Sequence, residues 1–280
     1  FSLLFILPTI LLAQEKTVAP TVKPAGKYDT NKFSQMYDLL ATPNMFRTAS
    51  GAPGPAYYQQ QADYKINVEL DDKNSKLSGS ETITYYNNSP DNLEYLWVQL
   101  DQNQASKNSD SPLAATQKIE SVLTPAKFAN EYLKQGLDRG FNIQYVKDDK
   151  GNPISYTVNK TMMRINLAVP MKPGTSMTFS IKWWYNINNY QEDGGRSGYE
   201  FFPKDGNKLY VIAQFYPRMA VYNDVEGWQN MQFWGGGEFA LPFGNFDVNI
   251  TVPADHVVDA TGELTNRSEV FTAEQVKRYE

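Results

Sequence analysis

From Ala62 onward the apolar positions of this chain recur at every second residue. Tyr64, Ile66, Val68 and Leu70 alternate with polar side chains, the spacing of a strand with one buried face. Asp71-Asp72-Lys73-Asn74 closes that strand as a turn, and residues 77–86 answer it. Residues 93–100, centred on Trp97, follow after Asn87-Asn88-Ser89-Pro90. Three strands joined by short turns predict an antiparallel meander. Further on, residues 141–146 and 154–158 flank Asp148-Asp149-Lys150-Gly151-Asn152, the composition of a hairpin connection. Residues 162–169 form another strand and Pro173-Gly174 a turn. Residues 176–187 then carry Phe179, Ile181, Trp183 and Tyr185 on one face, and 246–252 alternate again. Less regular stretches lie between these. Residues 101–110 read as a polar loop, the region of Phe128, Tyr132 and Gln135 as a short helix, and 188–197 as an exposed Gly-rich loop. The expected fold is all-β and mainly antiparallel, with a minor helical insertion.

The N-terminal residues follow a different pattern. Residues 1–12 are apolar except for Ser2, Pro8 and Thr9, too short a run for a bilayer, which needs about 20 residues. They fit the end of an export signal, with Ala13 before the cut and Gln14 after it. No Cys follows, so a lipid anchor is not expected, and the chain is read as exported. Residues 14–51 read as a tether with one short helix. Thr30 would cap that helix, Phe33, Met36, Tyr37 and Leu40 would form its apolar face, and Pro43 would end it. The β domain is expected over 52–265, with 266–280 beginning a link to a further domain.

Within the domain, residues 209–224 (LYVIAQFYPRMAVYND) combine two patterns. Residues 209–213 read as a buried apolar strand. The chain turns polar at Gln214 and loses a backbone donor at Pro217. Tyr216 stands just before that proline, and Arg218, Tyr222 and Asp224 follow it. A strand running into such a loop is one way to hold polar groups rigidly at a surface. The other reading is that these groups only satisfy the loop's backbone and one another, with Arg218 bracing the loop against Asp224. The pattern leaves both open.

Composition narrows the chemistry. The chain has 280 residues, 41% of them hydrophobic and 14% aromatic, and a net charge of -5. No run of like charge suggests nucleic acid or an anionic membrane as partner. With Cys 0 and His 1, disulfides and thiolate metal sites are excluded, as is any zinc site needing two His ligands. A Ser-His-Asp triad would have to use His256. That residue follows Asp255 at a strand start and reads as surface-exposed or backbone-bonded.

Other candidates are weak. Asp71-Asp72 and Asp148-Asp149 lack the alternating ligands of a calcium loop and are better explained as turns. Gly235-Gly236-Gly237 lacks the Lys-Ser/Thr of a phosphate loop. Glu200, Glu226 and Glu238 are possible paired carboxylates with no separation to test. Trp183, Trp184, Trp228 and Trp234 could stack on sugars, although core burial is the commoner use of such residues.

Several stretches, in order, resemble one family. Residues 52–60 (APGPAYYQQ) with Ala62-Asp63-Tyr64 resemble the start of exported bacterial zinc metallopeptidases related to aminopeptidase N. Leu77-Ser78-Gly79-Ser80-Glu81-Thr82-Ile83 with Tyr86-Asn87-Asn88-Ser89 is similar to the family's L-x-G-x-x-x-I…N-x-S strand pair. Ala213-Gln214-Phe215-Tyr216-Pro217 with Arg218-Met219-Ala220 resembles its T-Q-F-E-P and R-M-A segments. Residues 246–253 and 260–264 match its last N-terminal strands.

The resemblance implies a saddle-like β-sandwich domain preceding a zinc-dependent catalytic domain. It also implies a peptide substrate cleaved near its free N-terminus, contacted by Gln214 and Tyr216. Tyr216 stands where the family often has Glu, so the negative charge that would attract an ammonium is absent. The zinc-binding H-E-x-x-H helix does not occur in these residues, and the fragment alone is expected to be inactive. The rival expectation is a non-catalytic exported β-sandwich module that binds glycan or protein through Trp228 and Trp234.

Overall fold

The computed structural model describes residues 43–114, 122–128, 136–237 and 239–279. The export signal, the expected helix at 33–40, Tyr132, Gln135 and Glu238 lie outside them. The architecture is a β-sandwich. One sheet has five strands in the order β13-β1-β2-β7-β4 and the other has four in the order β10-β3-β6-β5. In the first sheet the strands are β1 (Gln61–Asp71), β2 (Lys76–Asn87), β4 (Asn142–Asp148), β7 (Thr175–Asn186) and β13 (Phe246–Thr251). The second holds β3 (Leu93–Gln99), β5 (Tyr156–Asn159), β6 (Met162–Met171) and the two-residue β10 (Arg218–Met219). Two separate hairpins complete the strands, β8 (Gly198–Phe202) with β9 (Asn207–Val211), and β11 (Tyr222–Asn223) with β12 (Gly227–Trp228).

Alternation explains the central strands. Ala62, Tyr64, Ile66, Val68 and Leu70 of β1 are buried, as are Leu77, Ile83 and Tyr85 of β2 and Phe179, Ile181, Trp183 and Tyr185 of β7. These pack with Leu96, Val98, Met163 and Ile165 of the second sheet into one core. The β2–β7 ladder is antiparallel from Lys76↔Asn186 to Asn87↔Thr175. A slip of one residue would turn its apolar face to water, so burial fixes the register.

Four expectations fail for physical reasons. The meander stops after β2, because β3 joins the other sheet. The buried Asn87 amide donates to the carbonyls of Asp91 and Met171 and accepts from the Ser89 hydroxyl at 2.6 Å, which turns the chain across the core. The turn at 148–152 starts as a hairpin, with Asp148 accepting from the backbone of Lys150 and Asn152. Pro153 bridges only Lys147, and β5 then pairs with β6 instead.

Strand β13 alternates as expected, but it runs parallel to β1 at the sheet edge, with every residue exposed. The fourth failure concerns 209–213. It is not a buried strand: β9 pairs with β8 alone in a two-stranded sheet, leaving Leu209 and Val211 about half exposed. The 101–110 loop opens with a short 3₁₀ turn, Asp101–Ala105, whose first three residues are buried. The 188–197 loop contains a helical turn, Tyr190–Asp193. Among the described residues no helix is long and apolar enough to cross a membrane.

Candidate functional site: a polar cavity beside Gln214

After β9 the chain leaves its hairpin and crosses the end of the sandwich to reach the second sheet. Three contacts fix this crossing. Ser197 Oγ accepts from the Ala213 N–H at 3.0 Å, Trp183 Nε1 donates to the Phe215 carbonyl at 3.1 Å, and the Tyr64 hydroxyl accepts from the Met219 N–H at 2.9 Å. β10 then pairs with β3 through Arg218↔Gln99 and Met219↔Val98.

Between the first two anchors Gln214 adopts φ 54°. Left-handed backbone costs an L-residue about 1–2 kcal/mol. The neighbouring anchors hold it there. The other two non-Gly residues with positive φ among the described residues, Ser75 and Lys160, sit in turns between paired strands.

That conformation separates the two residues expected to act together. In an extended chain Gln214 and Tyr216 would project to the same side. Here Gln214 lines a cavity of about 270 Å³, together with Gln102, Gln104, Arg139, Asp193 and Arg196. Tyr216 does not line it. Its ring packs edge-on against Tyr64 at 5.6 Å and Phe215 at 5.1 Å. Burial pushes its hydroxyl up to about 12, partly offset by the nearby Arg218 guanidinium.

Arg218 and Asp224 do not brace one another. Arg218 reaches the carboxylate of Asp101, at the start of the 3₁₀ turn, and donates to Gln99 Oε1 at 3.3 Å. Burial pushes the Asp101 carboxyl up, and Arg218 offsets part of that rise. Asp224 instead takes a two-pronged contact from Arg47, Nε to Oδ2 at 2.8 Å and Nη2 to Oδ1 at 3.0 Å. These partners were missed because each lies far from its mate in sequence, Arg47 by 177 positions.

The cavity's other polar groups were missed too. Arg139 Nη2 pairs with Asp193 Oδ2 at 2.8 Å, and that same oxygen accepts from the Asn189 N–H at 2.9 Å. Gln102 Nε2 donates to the Arg139 carbonyl at 2.8 Å and to Asn188 Oδ1 at 3.1 Å. The sequence held one usable signal, the density of Gln and Asn at 102–104 next to the apolar strand 93–100.

The remaining candidates disperse. Glu200 lies in the β8–β9 hairpin and Glu226 in the turn between β11 and β12. Trp183 is in the core, Lys76 covers Trp184 at 3.9 Å, and Trp228 packs against Tyr222 at 5.2 Å. Only Trp234 of the four is exposed. His256 Nδ1 lies 2.8 Å from Asp255 Oδ1, and its half-buried ring lies 6.1 Å from that of Tyr210.

No protein-family model matches the chain, and no curated protein matches it by sequence. Among solved structures it is similar to the M1 zinc metallopeptidase from Deinococcus radiodurans, with 14% sequence identity and a TM-score of 0.38 over 74% of this chain and 35% of that one. A mutant of the enzyme from that organism bound to a Tyr-Ser-Ala substrate gives 14% identity and a TM-score of 0.37, over 77% and 38%. A two-domain M1 zinc metallopeptidase mutant bound to L-arginine gives 13% and 0.34, over 74% and 36%. The chain thus spans little more than a third of the length of the solved chains it matches.

Zinc is the metal those proteins are named for. Among the described residues no three His, Cys, Asp or Glu side chains come together to hold a metal ion. The described residues therefore do not fit a zinc ion.

Proposed function

We propose that the chain is the substrate-cleft domain of an exported zinc metallopeptidase that hydrolyses peptide bonds near a free N-terminus. Zinc chemistry belongs, on this reading, to a catalytic domain of the same protein. One observation carries the proposal. In the segment that resembles the family's T-Q-F-E-P, Gln214 is held in a costly left-handed conformation with its amide at a polar cavity. It makes no hydrogen bond among the described residues. Strain kept by the surrounding structure is a pointer to function. A primary amide offers both donors and an acceptor to a peptide backbone.

The test begins with the coding sequence beyond Glu280. An H-E-x-x-H there, with peptidase activity abolished by a zinc chelator, supports the reading. In that complete enzyme, Gln214→Ala is expected to lower kcat/KM for short peptides about tenfold, near 1.4 kcal/mol of transition-state binding. A stop or an unrelated domain downstream would remove the enzyme reading. An unchanged kcat/KM would remove Gln214 from it.

A further inference from the structure

The charges around the Gln214 cavity do not suit a cation. Two of the lining side chains are guanidinium groups, Arg139 and Arg196, and one is a carboxylate, Asp193. That carboxylate is already engaged by Arg139 Nη2 and by the Asn189 N–H. Arg139 Nε is buried with no hydrogen-bond partner. Arg196 is exposed and forms no ion pair with any described residue. Gln104 and Gln214 leave their side-chain amides unpaired among the described residues. Asp101, which does not line the cavity, is taken up by Arg218, and the Arg196 charge also acts on it from a distance beyond an ion pair. Arg139 and Asp193 offset one another, so two guanidinium groups less one carboxylate leave the lining with one net positive charge, that of Arg196, beside the unpaired amides of Gln104 and Gln214. An ammonium group would meet repulsion here, whereas a carboxylate would find charge-assisted donors. Tyr216 does not line the cavity, and Asp193 is its one acidic lining residue among the described residues.

We infer that this cavity binds the carboxylate of a peptide, held by Arg196 and Arg139 with Gln214 and Gln104 donating beside them, and that it does not bind the peptide's ammonium group. The inference rests on the reading of the domain as a peptide-binding cleft and assigns which end or side chain of the peptide lies here. Two sources share this chemistry, a C-terminal carboxylate and an acidic side chain.

The experiment is calorimetric titration of the chain with three tripeptides. Acetyl-Ala-Ala-Ala carries only a C-terminal carboxylate, and acetyl-Ala-Glu-Ala-amide carries only a side-chain one. Ala-Ala-Ala-amide with a free N-terminus carries only the ammonium. Binding of the first or the second, with none of the third, is expected, and the tighter of the two names the source. Arg196→Gln is expected to weaken that binding by about tenfold to a hundredfold, the worth of one charge-assisted hydrogen bond. Arg196→Lys should retain part of it, since it keeps the charge and loses the fork.

Binding of the ammonium peptide alone would overturn the inference while leaving a peptide cleft standing. Carboxylate binding that Arg196→Gln leaves unchanged, or no binding of either carboxylate peptide, would overturn it as well. Failure of the peptidase reading would show separately, in the sequence and zinc dependence of the complete enzyme.

Discussion

Asp101 and Asp224 are both buried carboxylates paired to arginine, and their surroundings separate their expected costs. Asp101 is 1% exposed and its partner Arg218 11%, whereas Arg47, the partner of Asp224, is 28% exposed. Removing one member of a fully buried pair leaves the other charge without compensation, at about 3–5 kcal/mol. Asp101→Asn should therefore destabilise the chain by that amount in urea unfolding. Asp224→Asn should cost on the order of 1 kcal/mol, because water can reach Arg47 when its partner is lost. Equal losses would mean that burial of Arg218 does not set the value of its pair. Arg218 also anchors β10 to the end of β3 through Gln99. The Asp101 variant should thus loosen the crossing segment, seen as faster hydrogen exchange at the Met219 and Ala220 amides.

At the scale of elements, β1, β2 and β7 were legible because a buried face imposes period two on whatever sequence fills it. The switch of β3 to the second sheet was not legible. Asn87, Ser89 and Pro90 serve equally as a hairpin turn or as a crossover, and only the buried partners of Asn87 decide between them. Likewise, the apolar letters of 209–213 read the same whether a second sheet covers them or not. At the site, Gln214 was visible as the polar break after a strand. Its separation from Tyr216 depends on a backbone dihedral, and Arg139, Asp193 and Arg196 arrive from other loops. Gly79 shows what a strand can require beyond alternation. It faces Trp183 across the β2–β7 ladder, and a Cβ placed on it would lie 2.5 Å from Trp183 Cζ2 and 2.7 Å from Cε2. The indole has no room to yield, since it is fully buried and bonded to Phe215. Gly79→Ala is predicted to cost about 1–3 kcal/mol by overpacking. Combined with Trp183→Phe, the two losses should fail to add by at least about 0.5 kcal/mol, as contacting residues do. Strict additivity in thermal unfolding would show that the strand pair relaxes without strain.

For the whole molecule, the response to pH turns on Glu81. It lies on the inward face of β2, opposite Ile66 on one side and Ile181 on the other, 2% exposed and with neither oxygen hydrogen-bonded. Burial alone pushes its carboxyl well above the ordinary value of 4.5. A group whose pKa is raised on folding binds more protons in the native state. Its contribution is therefore complete below the unfolded value and declines as pH rises towards the folded one, by as much as about 1.4 kcal/mol per pH unit. Asp63 and Asp72 act with the opposite sign. Hydrogen bonds, from the Asn245 backbone and from the Tyr210 hydroxyl respectively, hold them below the ordinary 3.8, so their contribution is present above that value and lost in acid. The two effects predict maximal stability near pH 4 to 5 and a decline towards neutrality led by Glu81, with the raised Asp101 carboxyl adding to it in the same sense. Glu81→Gln removes the titration while keeping the shape. Its melting temperature should fall clearly less between pH 5 and 8 than the parent chain's, with Asp101 supplying what slope is left. Parallel curves for the two proteins would mean that the Glu81 carboxylate is ionised and compensated within the core, and the slope would then have to come from other groups.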